Sequence, residues 1–350
     1  MTGTLLPGID ARPVRTDRYT ANVLERPAAG EPLQTVLFVH GNVSSSLFWQ
    51  PLMRSLPAGV RTLAVDLRGF GDSETLPVDA TRGVRDFSDD VASVADELGL
   101  GAVHIVGWSL GGGVVMQLLL DRPDLVASLT LVSPVSPYGF GGTALDGSLL
   151  NADASGTGGG GANPDFVARL AAGDTGEESP TSPRAVYRSS YVAPGFVSEY
   201  EDLWVESMLT TATGPDNYPG DAGASEHWPG FGPGTRGILN TLAPTYFDTS
   251  GIVDAPAKPP ILWIHGAVDA IVADASFFDL NQLGAAGIIP GWPGDEVAPP
   301  QPMLAQTRAV LDRYAAAGGK TREVVFDDCG HSAHIEKPDE FRAELLAWIA

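Results

Sequence analysis

Apolar and polar positions along this chain fall into two kinds of segment that alternate. Short runs of β-branched and other apolar residues at 35–40, 62–66, 103–107, 129–133, 261–265 and 323–326 read as strands, and amphipathic stretches at 84–98, 110–121, 303–317 and 338–349 read as helices. Strands that alternate with helices predict an α/β fold with a mostly parallel central sheet flanked by helices on both faces. From about Pro134 to Pro260 this rhythm stops. Glycine and proline gather at 139–161 and 214–234, with helical candidates at 164–172, 183–191 and 195–211. An interruption of that size predicts an inserted, mainly helical cap over 135–259, leaving 1–134 and 260–350 as the core. A second glycine- and proline-rich stretch, 284–302, is expected on the same face. The pattern contains no internal repeat and no coiled-coil heptad.

Length and composition narrow the picture. At 350 residues the chain suits one large domain with an insertion, and 43% hydrophobic residues suffice for a substantial core. No apolar run approaches the roughly 20 residues of a membrane-spanning helix, so a soluble protein is expected. The first 20 residues lack an apolar stretch behind a basic start, so no secretory signal is read and a cytoplasmic location is the expectation. The single cysteine, Cys329, has no internal partner for a disulfide. A net charge of -22, from 43 acidic against 21 basic residues, argues against nucleic acid or an anionic membrane as partner and leaves a small molecule.

Reactive groups in an open parallel sheet gather at the carboxyl ends of its strands. There the sequence sets His40-Gly41-Asn42, Ser109, Asp269 and His331. Ser109 lies in Gly107-Trp108-Ser109-Leu110-Gly111 between a predicted strand and a predicted helix, a strand–turn–helix that holds a serine in a strained conformation with its hydroxyl exposed. Gly107 and Gly111 fit because larger side chains would crowd that turn. A serine hydroxyl needs a base to take its proton. His331, just past the last strand, is the candidate base, with His334 three residues on as the rival. The imidazole in turn needs a carboxylate. Asp269 follows the strand 261–265 and is preferred over Asp274 and Asp279, which fall in a predicted helix and are expected to be solvated. The oxyanion formed on attack calls for two backbone donors: the amide of Leu110, at a helix N-terminus, and one from Asn42 or Val43. Trp108 and His334, next to the nucleophile and the base, are the expected substrate-binding side chains. The chain carries no dinucleotide or phosphate-cradling fingerprint, and outside these residues no His/Asp/Glu/Cys cluster at metal-ligand spacing, so neither cofactor nor metal is expected.

Together, Leu37-Phe38-Val39-His40-Gly41-Asn42, Asp66-Leu67-Arg68-Gly69-Phe70-Gly71-Asp72-Ser73, the pentapeptide around Ser109 with Gly112, His265-Gly266-Ala267-Val268-Asp269 and the run from Gly330 to Pro338 resemble the α/β-hydrolase superfamily, in its serine-nucleophile subgroup with a cap. The order Ser, Asp, His matches that family. The His-Gly-Asn opening looks like that of dehalogenases, but those use an aspartate where this chain has Ser109, and an alkyl-enzyme ester requires a carboxylate nucleophile. The resemblance therefore implies acyl chemistry: a carboxylic ester or lactone hydrolase, or alternatively a carbon–carbon bond hydrolase acting on a diketone-like compound with the same triad. A third reading, a catalytically silent binding protein on the same scaffold, would be favoured by a degenerate triad, and here all three positions are filled. Asp66 and Arg68 are expected to be structural. The aromatic residues Tyr187, Tyr191, Trp204, Trp228, Phe231 and Tyr246 are expected to form the cap's own small core.

Overall fold

The computed structural model describes residues 4–350. In chain order the strands of the main sheet are β1 (Asp10–Arg15), β2 (Thr20–Arg26), β3 (Gln34–Val39), β4 (Val60–Val65), β5 (Val103–Trp108) and β6 (Val126–Val132). Two short pairs follow, β7 (Thr213–Gly214) with β8 (Tyr218–Pro219) and β9 (Ala222–Ala224) with β10 (Phe231–Pro233), before β11 (Ile261–Gly266) and β12 (Thr321–Phe326) complete the sheet. Its spatial order is β1-β2-β4-β3-β5-β6-β11-β12. β2 runs antiparallel to both neighbours, and every pairing from β4 across to β12 is parallel.

The central strands lie within a few residues of where their apolar runs predict them, because strands covered on both faces carry continuous apolar sequence. β3, β5, β6 and β11 are almost wholly buried. β1 and β2 were not expected. Most of β1 is exposed and carries Asp10, Arg12, Pro13 and Arg15, the charged, proline-bearing character of an edge strand that conceals it from a hydrophobic scan.

Helices α1 (Gln50–Ser55), α2 (Arg85–Glu97) and α3 (Leu110–Asp121) accompany the first half of the sheet. α3 is apolar all round and buried from Leu110 to Leu119, as a helix pressed between sheet and surrounding layers must be. The segment between β6 and β11 holds α4 (Pro164–Ala172), α5 (Pro183–Val186), a turn of π-helix at Tyr187–Tyr191 and α6 (Glu201–Leu209). α4 matches its predicted span because its end signals are written in the chain. Asn163 caps the amides of Asp165 and Phe166, Pro164 opens the first turn, and Gly173 closes the helix in the left-handed region. The remainder of 135–259 is mostly turn, short 3-10 helix and the two strand pairs, so the expectation of a mainly helical cap is met only in part. Glycine and proline at that density favour turns over helical runs.

After β11 come α7 (Leu280–Ala285), α8 (Met303–Ala316), α9 (Ala333–Glu336) and α10 (Pro338–Ile349). The stretch 284–302 reaches the 135–259 segment as expected. Trp228 Nε1 donates to Pro290 O at 3.1 Å, and the Gln301 side chain bonds to Gly139 O and Gly141 N. No helix among the described residues is long and apolar enough to cross a membrane.

Asp66 and Arg68 hold the loop after β4. Asp66 accepts the amides of Ser46 (2.7 Å) and Asp72 (3.0 Å) and the Asn22 side chain (2.8 Å), while Arg68 forms a two-pronged pair with buried Asp90 at 2.6 and 2.7 Å. His40, fully buried, accepts the Leu67 amide at Nε2 (3.0 Å), and its Nδ1 donates to Gly41 O (2.7 Å). Burial holds this imidazole below its usual range, which matches a neutral ring that both accepts and donates.

Candidate active site

Ser109 stands between β5 and α3 with φ 57° and ψ -119°, a conformation non-glycine residues rarely adopt. Its amide bonds to Val132 O on neighbouring β6 (2.9 Å), and its carbonyl accepts Gly112 and Val135 amides, so the strained backbone is fixed from several sides. The flanking glycines are sterically required. A Cβ at Gly107 would lie 2.4 Å from Gly111 O, and one at Gly111 would lie 2.4 Å from His40 O.

His331 follows β12 and is buried, with its Nδ1 donating to Asp269 Oδ2 at 2.8 Å. That bond leaves Nε2 as the nitrogen available to a serine hydroxyl. The other oxygen of Asp269 accepts the amides of Ile271 (2.8 Å) and Val272 (3.0 Å), so the carboxylate is held by three donors and its charge is satisfied. The indole Nε1 of Trp108 donates to the carbonyl of His331 at 3.0 Å, tying the His331 loop to the strand that leads into Ser109.

Ser109 and His331 line one cavity of about 460 Å³, together with Asn42, Val43 and Leu110. The structure thus brings together all six residues expected for the triad and the oxyanion site, five on the cavity wall and Asp269 behind His331. Leu110 begins α3, so its amide lies at the positive end of a helix. Val43 has φ 45°, strained for a β-branched residue, and Asn42 Oδ1 is buried without a hydrogen-bond partner among the described residues.

The rest of the wall is mainly apolar and comes from both parts of the chain: Phe140, Phe166 and Leu239 from the insertion, Ile271, Phe277 and Leu280 from the region after β11. Phe277 and Phe278 are also exposed to solvent, so they border the mouth.

Two expected substrate-binding residues lie elsewhere. Trp108 is completely buried and packs on Phe48, Tyr191, His331 and His334 behind the cavity wall rather than on it. His334 sits in an aromatic box formed by Trp49 (4.2 Å between ring centroids), Trp108 and Phe341. Neither ring nitrogen of His334 has a partner among the described residues, and burial together with the nearby charge of His331 pushes its pKa down to about 3. The reason for both corrections is direction. Trp108 ends β5 with its ring packed behind the cavity wall, and α9 turns the His334 ring toward Trp49, Trp108 and Phe341.

Asp279 is a further correction: it caps α7 through Asn281, accepts the Gln301 amide at 2.7 Å, and is buried, with its carboxyl pushed up by that burial. Asp274 is exposed, as expected, but caps α8 through Leu304 and Ala305 rather than lying inside a helix. Two residues at the site escaped the sequence reading of function. Tyr191 was expected only as cap core, and Glu336 lay inside a motif without an assigned role. Nothing in the sequence marks Tyr191 out from its aromatic neighbours.

A sequence model of the alpha/beta hydrolase fold matches residues 34–158. The chain is 40% identical over 132 residues to the putative carbamate hydrolase RutD of Variovorax paradoxus, covering 37% of this chain and 48% of that protein. It is 32% identical over 104 residues to carboxylesterase YbfK of Bacillus subtilis, covering 30% and 35%. These alignments span less than half of either relative's own length. Among solved structures, carboxylesterase CesB (YbfK) of Bacillus subtilis aligns over 99% of this chain and 93% of its own at a TM-score of 0.58 and 16% identity. A putative aryl esterase from Burkholderia cenocepacia aligns over 97% and 98% at a TM-score of 0.58 and 18% identity. At such identities the likeness is one of fold. The sheet order, the strained serine between β5 and α3 and these matches lead to one conclusion: the chain has the α/β-hydrolase fold.

Proposed function

We propose that this protein hydrolyses carboxylic esters through an acyl-enzyme on Ser109. The observation that carries the reading is the His331–Asp269 hydrogen bond at 2.8 Å, buried beside a cavity that His331 shares with a strained, cavity-lining serine. His331 Nε2 takes the hydroxyl proton as Ser109 Oγ attacks the ester carbonyl, and Asp269 stabilises the imidazolium. The amides of Leu110 and of Asn42 or Val43 receive the oxyanion. Collapse of the tetrahedral intermediate expels the alcohol with the proton from His331. Water, deprotonated by the same imidazole, then attacks the acyl-serine, releasing the acid and restoring Ser109. The similarity to proteins named carboxylesterase and carbamate hydrolase supports acyl chemistry at a carbonyl bonded to a heteroatom. The apolar wall supports a substrate with a bulky hydrocarbon or aryl group, since a cavity of about 460 Å³ exceeds the needs of an acetyl group.

The test is steady-state hydrolysis of p-nitrophenyl esters from acetate to octanoate, alongside β-diketones, with fluorophosphonate labelling followed by peptide mapping. Ester turnover and a single labelled residue, Ser109, are expected. Folded protein that neither cleaves these esters nor is labelled would refute the reading.

A further inference from the structure

The insertion touches the two loops that flank the reaction through three consecutive residues. Tyr191, the last residue of the π-helical turn, donates its hydroxyl to Asn42 O at 2.9 Å and to Val43 O at 3.3 Å, the carbonyls of the oxyanion loop. Two residues on, the Ala193 amide donates to Glu336 Oε2 at 2.7 Å. The same carboxylate accepts the amides on both sides of the base, Gly330 (2.9 Å) and Ser332 (3.1 Å). The approach is close: a Cβ on Gly330 would lie 2.7 Å from Ala193 N and from Val192 C. Tyr191 also presents its ring edge-on to His331, with centroids 6.2 Å apart.

These contacts control direction as well as distance. A trans peptide is planar with its C=O and N–H opposed, so a bond that fixes the Asn42 carbonyl also fixes where the Val43 amide points. The positive φ of Val43 is unfavourable for a β-branched side chain and persists only where neighbours over-determine it. Gly41 O is held from the core side by Ser44 Oγ at 2.8 Å and by His40, while the next two carbonyls are held by Tyr191, from the insertion. On the base side, three amides on one buried carboxylate fix the backbone around His331 far more tightly than a solvated loop would be.

We infer that residues 191–193 form a strut that keeps the oxyanion loop and the His331 loop in register, with Tyr191 and Glu336 as positioning residues for the reaction. The inference rests on the reading of Ser109 given above. It makes the insertion part of the catalytic machinery, since the strut acts even on substrates too small to fill the cavity.

The deciding variant is Tyr191→Phe, which removes one hydroxyl and keeps the ring. With p-nitrophenyl acetate and butyrate, kcat is expected to fall about 10- to 100-fold with KM within about 3-fold, the pattern of an interaction realised in the transition state. Fluorophosphonate labelling of Ser109 should slow in parallel. Glu336→Gln should give a similar loss, Glu336→Asp should restore part of it, and the double variant Tyr191→Phe/Glu336→Gln should lose less than the product of the two, because both act on one unit. If Glu336→Gln does not fold, Tyr191→Phe decides alone. A Tyr191→Phe enzyme with kcat within about 2-fold of native on both esters overturns the strut, as does a raised KM at unchanged kcat, which would make Tyr191 only a substrate contact. Native protein without turnover or labelling would instead overturn the functional reading beneath it.

Discussion

His334 offers a quantitative test of how the site is built, because sequence alone leaves it a rival to His331 while the structure seals it in an aromatic box. Its ring lies at a tilt against Trp49 and meets Trp108 and Phe341, and neither nitrogen finds a partner among the described residues. In the unfolded chain a histidine binds its proton near pH ~6.5. In the folded protein burial, reinforced by His331, lowers the value to about 3. Between those values the unfolded state holds one proton more than the folded state, so stability falls as the pH falls, by up to ~1.4 kcal/mol per pH unit. From pH 7 to pH 4 this single residue should remove on the order of 3 kcal/mol. His334→Leu replaces the ring with an apolar side chain of similar size and abolishes that contribution. At pH 7 the variant should be at least as stable as the native protein, since it deletes two unpaired buried polar atoms. Urea unfolding at pH 7, 5.5 and 4 on both proteins measures the difference in slope. Ester turnover of His334→Leu at pH 7 should stay within about tenfold of native, because of the two histidines it is His331 that bonds to Asp269. Parallel pH slopes in the two proteins would refute the burial argument, and complete loss of turnover with folding intact would make His334 the base.

Under the proposed mechanism, Ser109→Ala and His331→Ala should each lower kcat by at least about 10⁴-fold, and the double variant should be no worse, because members of one triad act as a unit; burst and steady-state kinetics on a p-nitrophenyl ester check this. Gly161 lines the cavity, and a Cβ there would meet only Leu280 Cδ1 at 3.9 Å, so Gly161→Leu should be tolerated and should narrow the space. Its kcat/KM on octanoate should drop about tenfold or more while acetate changes little, and equal losses on both would place the acyl chain elsewhere. Arg68→Met leaves the buried Asp90 carboxylate with Arg18 as its remaining cation. Breaking that two-pronged pair should cost about 3 kcal/mol in urea unfolding, and a loss below about 1 kcal/mol would mean that Arg18 suffices.

The parts of this protein that were legible in its sequence are those whose local chain carries its own reason. β3, β5, β6 and β11 are buried on both faces, so their sequences are apolar without interruption, and α4 announces both ends through Asn163, Pro164 and Gly173. Ser109 was legible because Gly107 and Gly111 are demanded by backbone atoms within a few residues or on the adjoining strand β3. What stayed hidden depends on partners far along the chain. Tyr191 meets Asn42 149 residues away, Glu336 meets Ala193 143 residues away, and no periodicity encodes either pairing. The same holds for Trp108 and His334, whose proximity to Ser109 and His331 in sequence suggested the substrate side when packing turns them to the other. Directional error of this kind has a physical root: one residue along a strand or a short helix reverses the face, so nearness to a catalytic residue in sequence predicts nearness in space but not which side of the wall a ring occupies. Under the proposed function, that wall sets substrate preference. It is assembled from the insertion and from the region after β11, two pieces joined by long-range contacts such as Trp228 to Pro290 and Gln301 to Gly139. A change of substrate should therefore follow from altering the insertion while Ser109, Asp269 and His331 stay unchanged, with the limit that residues 191–193 must still reach Asn42 and Glu336.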